Sequence, residues 1–228
     1  MKITEVITES IEEAIVDEAK MSPEVKKIMI KQGYKFLGHG QDQDAYLAPD
    51  GTILKIFGYE RDSKGYSKGQ QSFIDFANFC MANKNNPFLP QFGGWEPFVL
   101  GGQQYLQIKC ERLFDMYKAG APRIGEALED LASKVQHWGA AKGVEKLLYW
   151  NVDDRYADPR GAGGLITLVG GKEQLMLLAK TIEQLAKLAD KKRYVLDLHS
   201  ANFMFGSVGR PAVGRLLCVR RGVVLGTT

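Results

Sequence analysis

Apolar residues recur at two different spacings along this chain, and the change of spacing divides it. Residues 8–19 and 22–32 carry helical periodicity. Ser22-Pro23-Glu24 supplies an N-cap and first turn to the second helix, and Gly33 a stop. From residue 34 the period shortens. Residues 34–40, 45–48 and 52–57 predict short strands, with Pro49-Asp50-Gly51 as a tight turn. A polar loop over 58–68 leads to a helix over 69–84, where Phe73, Phe76, Ala77 and Cys80 fall on one face, and Asn85-Asn86-Pro87 breaks it. Residues 91–100 and 103–113 flank Gly101-Gly102 and predict a hairpin. The result is a small five-stranded sheet with one inserted helix. After Leu113 the pattern turns helical. Residues 122–138 predict an amphipathic helix, and residues 139–171 an irregular stretch broken by Gly161, Gly163, Gly164, Gly170 and Gly171. Residues 172–190 predict the clearest helix, with Leu175, Leu178, Ile182, Leu185 and Leu188 along one face. The fold class expected is α+β.

Composition narrows the field. A chain of 228 residues can bury a core as one domain or two small lobes. No apolar run is long enough to span a membrane, and Met1-Lys2-Ile3-Thr4-Glu5 is not a signal-peptide start. Cys80, Cys110 and Cys218 are odd in number and widely spaced, which fits reduced thiols in the cytoplasm. Three distant histidines argue against a zinc site. The net charge of +3 is local: Arg210, Arg215, Arg220 and Arg221 give residues 206–228 a charge of +4, leaving −1 on the rest. A near-neutral body lacks the clustered basic face that nucleic acid requires.

The candidate chemistry lies in Asp197-Leu198-His199-Ser200-Ala201-Asn202, set between two short apolar runs. An Asp and an Asn five apart, between strands, is the wording of a phosphotransferase catalytic loop: the Asp takes the acceptor's proton and the Asn holds a metal on the nucleotide phosphates. His199 reads as a loop-bracing residue, since Asp197 already fills the base position. Cys80 and Cys110 read as buried apolar residues, and Trp95, Trp138 and Trp150 as packing residues, too scattered to form a stacking platform. Asp153, Asp154 and Asp158 read as a solvated loop.

With that loop in place, the order of elements over residues 33–206 resembles the protein-kinase-like superfamily. Asp-Leu-His is more similar to its aminoglycoside and choline phosphotransferase type than to protein kinases, in which the His199 position is commonly Lys. The resemblance implies a two-lobed fold, with a small antiparallel five-stranded N-lobe and a mostly helical, shortened C-lobe. It divides the chain into an N-terminal helical extension (1–32), an N-lobe (33–112), a C-lobe (113–206) and an aberrant basic tail (207–228). Gly38 and Gly40 in Leu37-Gly38-His39-Gly40 are similar to the start of the glycine-rich loop over the phosphates. Lys55 is similar to the third-strand lysine. Glu111-Arg112-Leu113 is similar to the hinge, where backbone groups meet adenine. Asp197 and Asn202 match the catalytic base and the metal ligand. The implied cofactors are ATP and Mg²⁺, and the implied partner is a hydroxyl acceptor, small molecule or protein.

Departures from the pattern bear on activity. The glycine loop has Asp42-Gln43-Asp44 where a third Gly belongs, and carboxylates beside a triphosphate repel it unless they point away. The helix over 69–84 has no Glu to pair with Lys55; its one carboxylate is Asp75. No Asp or Glu follows Asp197, and Arg215 stands near the place of the second metal carboxylate. All twenty lysines end by Lys192 while four of ten arginines crowd the last 23 residues, so residues from about 207 on are expected to be foreign to the family's sequence. Two readings stay open: a phosphotransferase impaired by the missing acid, and a catalytically inactive nucleotide- or protein-binding module. A truncated lower lobe is further expected to expose apolar surface and promote self-association.

Overall fold

Strand alternation and helical periodicity set nearly every element of the computed structural model, which describes residues 23–39, 43–58, 68–100, 103–115, 122–150, 162–196, 203–205, 211–213 and 217–218. The helix expected over 8–19 lies outside the described residues. The chain separates into two units: one of residues 1–67 and 94–110, the other of residues 68–93 and 111–228.

The first unit is built on α1 (Pro23–Lys31), β1 (Lys35–His39), β2 (Gln43–Leu47), β3 (Ile53–Gly58), most of β4 (Phe92–Leu100) and β5 (Gln103–Cys110). The strands form one antiparallel sheet in the order β1-β2-β3-β5-β4. The β2–β3 turn sets its register. Asp50 Oδ1 accepts the Thr52 amide at 3.0 Å, and the Ala48 amide donates to the Thr52 carbonyl at 2.8 Å. Pairing then runs Leu47 with Ile53, Tyr46 with Leu54 and Ala45 with Lys55. The pleat sends Tyr46, Leu54 and Ile56 to one face, where Val25 and Met29 of α1 and Tyr105 of β5 cover them. Lys26 Nζ lies 4.2 Å from the centre of the Phe36 ring and fastens the same helix to β1.

The second unit is helical. It contains α2 (Lys68–Ala82), α3 (Pro122–Trp138), α4 (Ala140–Trp150), α5 (Ala162–Val169) and α6 (Lys172–Lys192). Phe76 and Cys80 of α2 pack into one core with Leu131 of α3, Leu147 of α4, Leu165 of α5 and Ile182 of α6. For this reason α2 groups with the helical unit and not with the sheet into which its sequence position inserts it. The stretch 139–171, expected to be irregular, contains α4 and α5. Ala140, Val144 and Leu147 make a buried helical face. Of the glycines expected as breakers, Gly163 and Gly164 lie inside α5, Gly170 and Gly171 separate α5 from α6, and Gly161 lies outside the described residues. At Gly143 an added Cβ would lie 2.9 Å from the Val135 backbone, so the missing side chain is what allows α3 and α4 to approach.

Short strands finish this unit. β6 (Phe114–Asp115), β8 (Phe203–Phe205) and β9 (Pro211–Val213) form a sheet in the order β6-β8-β9, and β7 (Val195–Leu196) pairs with β10 (Leu217–Cys218). The tail expected to be foreign therefore supplies two strands: β9 pairs with β8 and β10 with β7, through backbone groups that any sequence carries. The strand expected over 103–113 ends at Cys110, and β6 begins a separate sheet.

Candidate functional site

Lys55 occupies the third strand with Ala45 of β2 opposite on one side and Ile108 of β5 on the other. Ala45 in turn pairs with Gly38 of β1. Gly38, Ala45, Lys55 and Ile108 thus form one row across the sheet and share a face. The row is bare at one end, since Gly38 has no side chain and Ala45 only a methyl. A register shift between Phe36 and Gly38 puts a bulge at this point, and Gly38 adopts φ +151°, a conformation that L side chains rarely take. Nothing lies within 4 Å of where its Cβ would be. Lys55, a half-buried residue, thus shares its sheet face with the side-chain-free Gly38 position.

The carboxylates feared beside the glycine loop divide. Asp44 lies on the opposite face from Lys55: it pairs with Ile56, not with Lys55, and is fully buried beside Tyr46. The Tyr46 hydroxyl donates to Asp44 Oδ2 at 3.5 Å. Burial, then the charge of Asp44, pushes the Tyr46 phenol well above its ordinary value, so it stays a donor. The Asp44 carboxyl therefore lies on the α1 side of the sheet. Asp42 and Gly40 lie outside the described residues.

In the helical unit, Glu111 closes a junction with Gln91. The Glu111 amide donates to the Gln91 carbonyl at 2.8 Å, and the Gln91 amide donates to Glu111 Oε1 at 3.0 Å. Its side chain thus acts as a local clasp, and its amide is engaged. Residues 111–113 run directly into β6, where Phe114 pairs with Phe205 and Asp115 with Met204. Arg112 lies over the Phe114 ring at 5.0 Å.

Asp197, His199 and Asn202 lie outside the described residues, as does Arg215. The strands around them are described. Residues 197–202 connect β7 to β8, and residues 214–216 connect β9 to β10. Leu196 pairs with Leu217, so the chain leaves β7 beside the point where it enters β10. The strand that follows Asn202 is central in its sheet, flanked by β6 and β9. The described structure unites Gly38 with Lys55 in one unit and assigns Glu111 to the other.

Two contributors were not singled out from the sequence. Ala45 could have been found by counting back from the Pro49-Asp50-Gly51 turn, which fixes it opposite Lys55. Tyr194, just upstream of the candidate loop, donates its hydroxyl to Asp75 of α2; only its position three residues before Asp197 marked it. Among the described residues, no cluster of three His, Cys, Asp or Glu could hold a metal, and no helix is long and apolar enough to cross a membrane.

No family model and no curated protein matches the chain. Among solved structures it is similar to the streptomycin–ATP–APH(2″)-IIa ternary complex, at 17% identity over 86% of this chain and 70% of that one, with a TM-score of 0.31.

Proposed function

We propose that the chain is a kinase-like phosphotransferase that binds ATP with Mg²⁺ and passes the terminal phosphoryl group to a hydroxyl acceptor. The observation that carries this reading is the row of Gly38, Ala45 and Lys55: a cation beside a side-chain-free strand edge on one face of a five-stranded antiparallel sheet. Such a surface suits a polyphosphate, because backbone can close on its oxygens while the ammonium neutralises them. Asp44, turned to the other face, does not oppose that charge.

Each residue has a separate task in this reading. Gly38 and Gly40 let the backbone approach the phosphates. Lys55 offsets the charge of the α- and β-phosphates. Residues 111–113 meet the adenine through backbone groups, with the Glu111 carbonyl the natural acceptor because its amide is already engaged by Gln91. Asp197 accepts the acceptor's hydroxyl proton as that oxygen bonds to the γ-phosphorus; the bond from phosphorus to the β,γ-bridging oxygen breaks, and ADP leaves. Asn202 would hold Mg²⁺, which supplies charge neutralisation on the phosphate oxygens. The donor set for that ion is short: the β9–β10 connection is Gly214-Arg215-Leu216 and contains no carboxylate. Metal binding should therefore need the nucleotide's own oxygens, and turnover should fall well below that of a complete site.

A thermal-shift titration tests the reading. ATP with Mg²⁺ should raise Tm, ATP alone less, and Mg²⁺ alone not at all. No shift with millimolar ATP and Mg²⁺ would overturn the phosphotransferase and leave an inert binding module.

A further inference from the structure

Asp75 presents an unusual concentration of donors on one carboxylate. The Tyr194 hydroxyl donates to Oδ2 at 2.8 Å, Lys192 Nζ lies 3.2 Å from the same oxygen, and Gln71 Nε2 donates to Oδ1 at 3.3 Å. The Asp75 side chain is only 11% exposed. Gln71 belongs to α2 itself, whereas Lys192 and Tyr194 close α6 and lead into β7. The turn between them is held in an uncommon state. Arg193 is left-handed at φ 58°, with its amide on the Asp190 carbonyl at 3.1 Å, and the Tyr194 amide reaches the Ala189 carbonyl at 2.8 Å. A non-glycine residue in that conformation persists only where its surroundings enforce it.

A second contact joins the same two parts. α2 packs against β10, and β10 pairs with β7 through Leu217–Leu196 and Cys218–Val195. The helix therefore grips both strands of the ribbon, one by packing and one through Tyr194. Residue 197 leaves that ribbon and residue 216 enters it. Helix burial alone does not require the carboxylate, since Phe73, Phe76, Ala77 and Cys80 already bury the apolar face of α2. A nearly desolvated carboxylate contributes direction: it accepts only from donors at fixed positions.

We infer that Asp75 is a positioning residue that fixes the β7–β10 ribbon, whose first strand leads into the candidate catalytic loop, to α2 through Tyr194. The assignment rests on the phosphotransferase reading of Asp197 and Asn202. Burial and the Asp75 contact push the Tyr194 phenol well above its ordinary value, which keeps it a donor across neutral pH.

Hydrogen exchange on the full chain, without nucleotide, tests the coupling independently of activity. In Asp75→Ala and in Tyr194→Phe, amides of residues 194–196 and 203–205 should exchange about tenfold faster, while those of α3 and α4 keep wild-type rates. Asp75→Asn, which can still accept from Tyr194, should restore most of the protection. Unchanged exchange at 194–196, or equal acceleration in every helix, would overturn the inference. A second readout is ATP turnover with Mg²⁺: kcat should fall in Tyr194→Phe with KM for ATP unchanged, and a rise in KM alone would count against positioning. A wild-type chain that turns over no ATP defeats the phosphotransferase reading, and the exchange result still decides whether Asp75 orders the ribbon.

Discussion

Gly38 shows how a single missing side chain can serve a site. With open space around its Cα, the cost of a side chain is conformational and not steric. Gly38→Ala should therefore lower stability by about 1–3 kcal/mol, the range for a residue held in a sparsely populated region, and weaken the ATP-dependent Tm shift. Urea unfolding with and without nucleotide separates the two effects. Lys55 permits a sharper comparison with Lys109, which sits on the other face of the same sheet, bonded to Asp50 at 2.8 Å. Lys55→Met should weaken ATP binding about tenfold or more, the size of one lost charge-assisted contact, whereas Lys109→Met should leave the affinity unchanged. Equal losses in isothermal titration would remove Lys55 from the site. Asp50 itself adds a pH signature. Hydrogen bonds from Lys109 and Thr52 hold its carboxyl well below the usual carboxylate range. A folded-state value below the unfolded one of about 3.9 means that the contribution is complete above that pH and fades as pH falls through the lower value. The Tm gap between wild type and Asp50→Asn should be small near neutrality, because the pair is exposed, and should close as pH falls below about 4. A gap that widens in acid would contradict the assignment. At this scale the sequence showed which residue types matter but not their direction. Asp44 reads as a threat to a triphosphate until the turn-fixed register turns it to the α1 side.

Elements were legible where periodicity and punctuation agreed. The helix over 122–138 and the long helix from residue 172 stand where their apolar spacing puts them, and the five strands fall within a few residues of their expected limits. Within 139–171 the glycines divide: Gly170 and Gly171, at positive φ, do separate α5 from α6, whereas Gly163 and Gly164 lie inside α5. In α4 a glycine is instead the contact surface, and only the neighbouring helix reveals that role. The membership of α2 was illegible for a related reason: its apolar face says that it packs, not against what. A test belongs here. Gly143→Ala should force α3 and α4 apart and cost about 1–3 kcal/mol by denaturant unfolding, the range for overpacking a tight contact. Alanine otherwise favours a helix, so any stabilisation would mean that the two helices are not closely apposed.

For the molecule as a whole, the question is what the last residues contribute. Their composition breaks from the rest of the chain, and that break suggested a stretch foreign to the family's sequence. Backbone pairing does not depend on composition, and β9 and β10 each complete a strand pair that brackets the candidate loop. Deleting residues 207–228 would leave β8 with an open edge, remove the partner of β7 among the described residues, and strip α2 of its contact with β10. Phe203, 1% exposed, begins the strand that would lose its neighbour. An uncovered strand edge beside a buried aromatic invites pairing with another chain. The truncated protein should therefore unfold at lower temperature than the full chain and scatter more light at equal concentration. Its amides at 195–196 and 203–205 should lose protection while those of α3 and α6 retain it. If truncation leaves Tm, scattering and exchange unchanged, the tail strands contribute nothing to the ribbon.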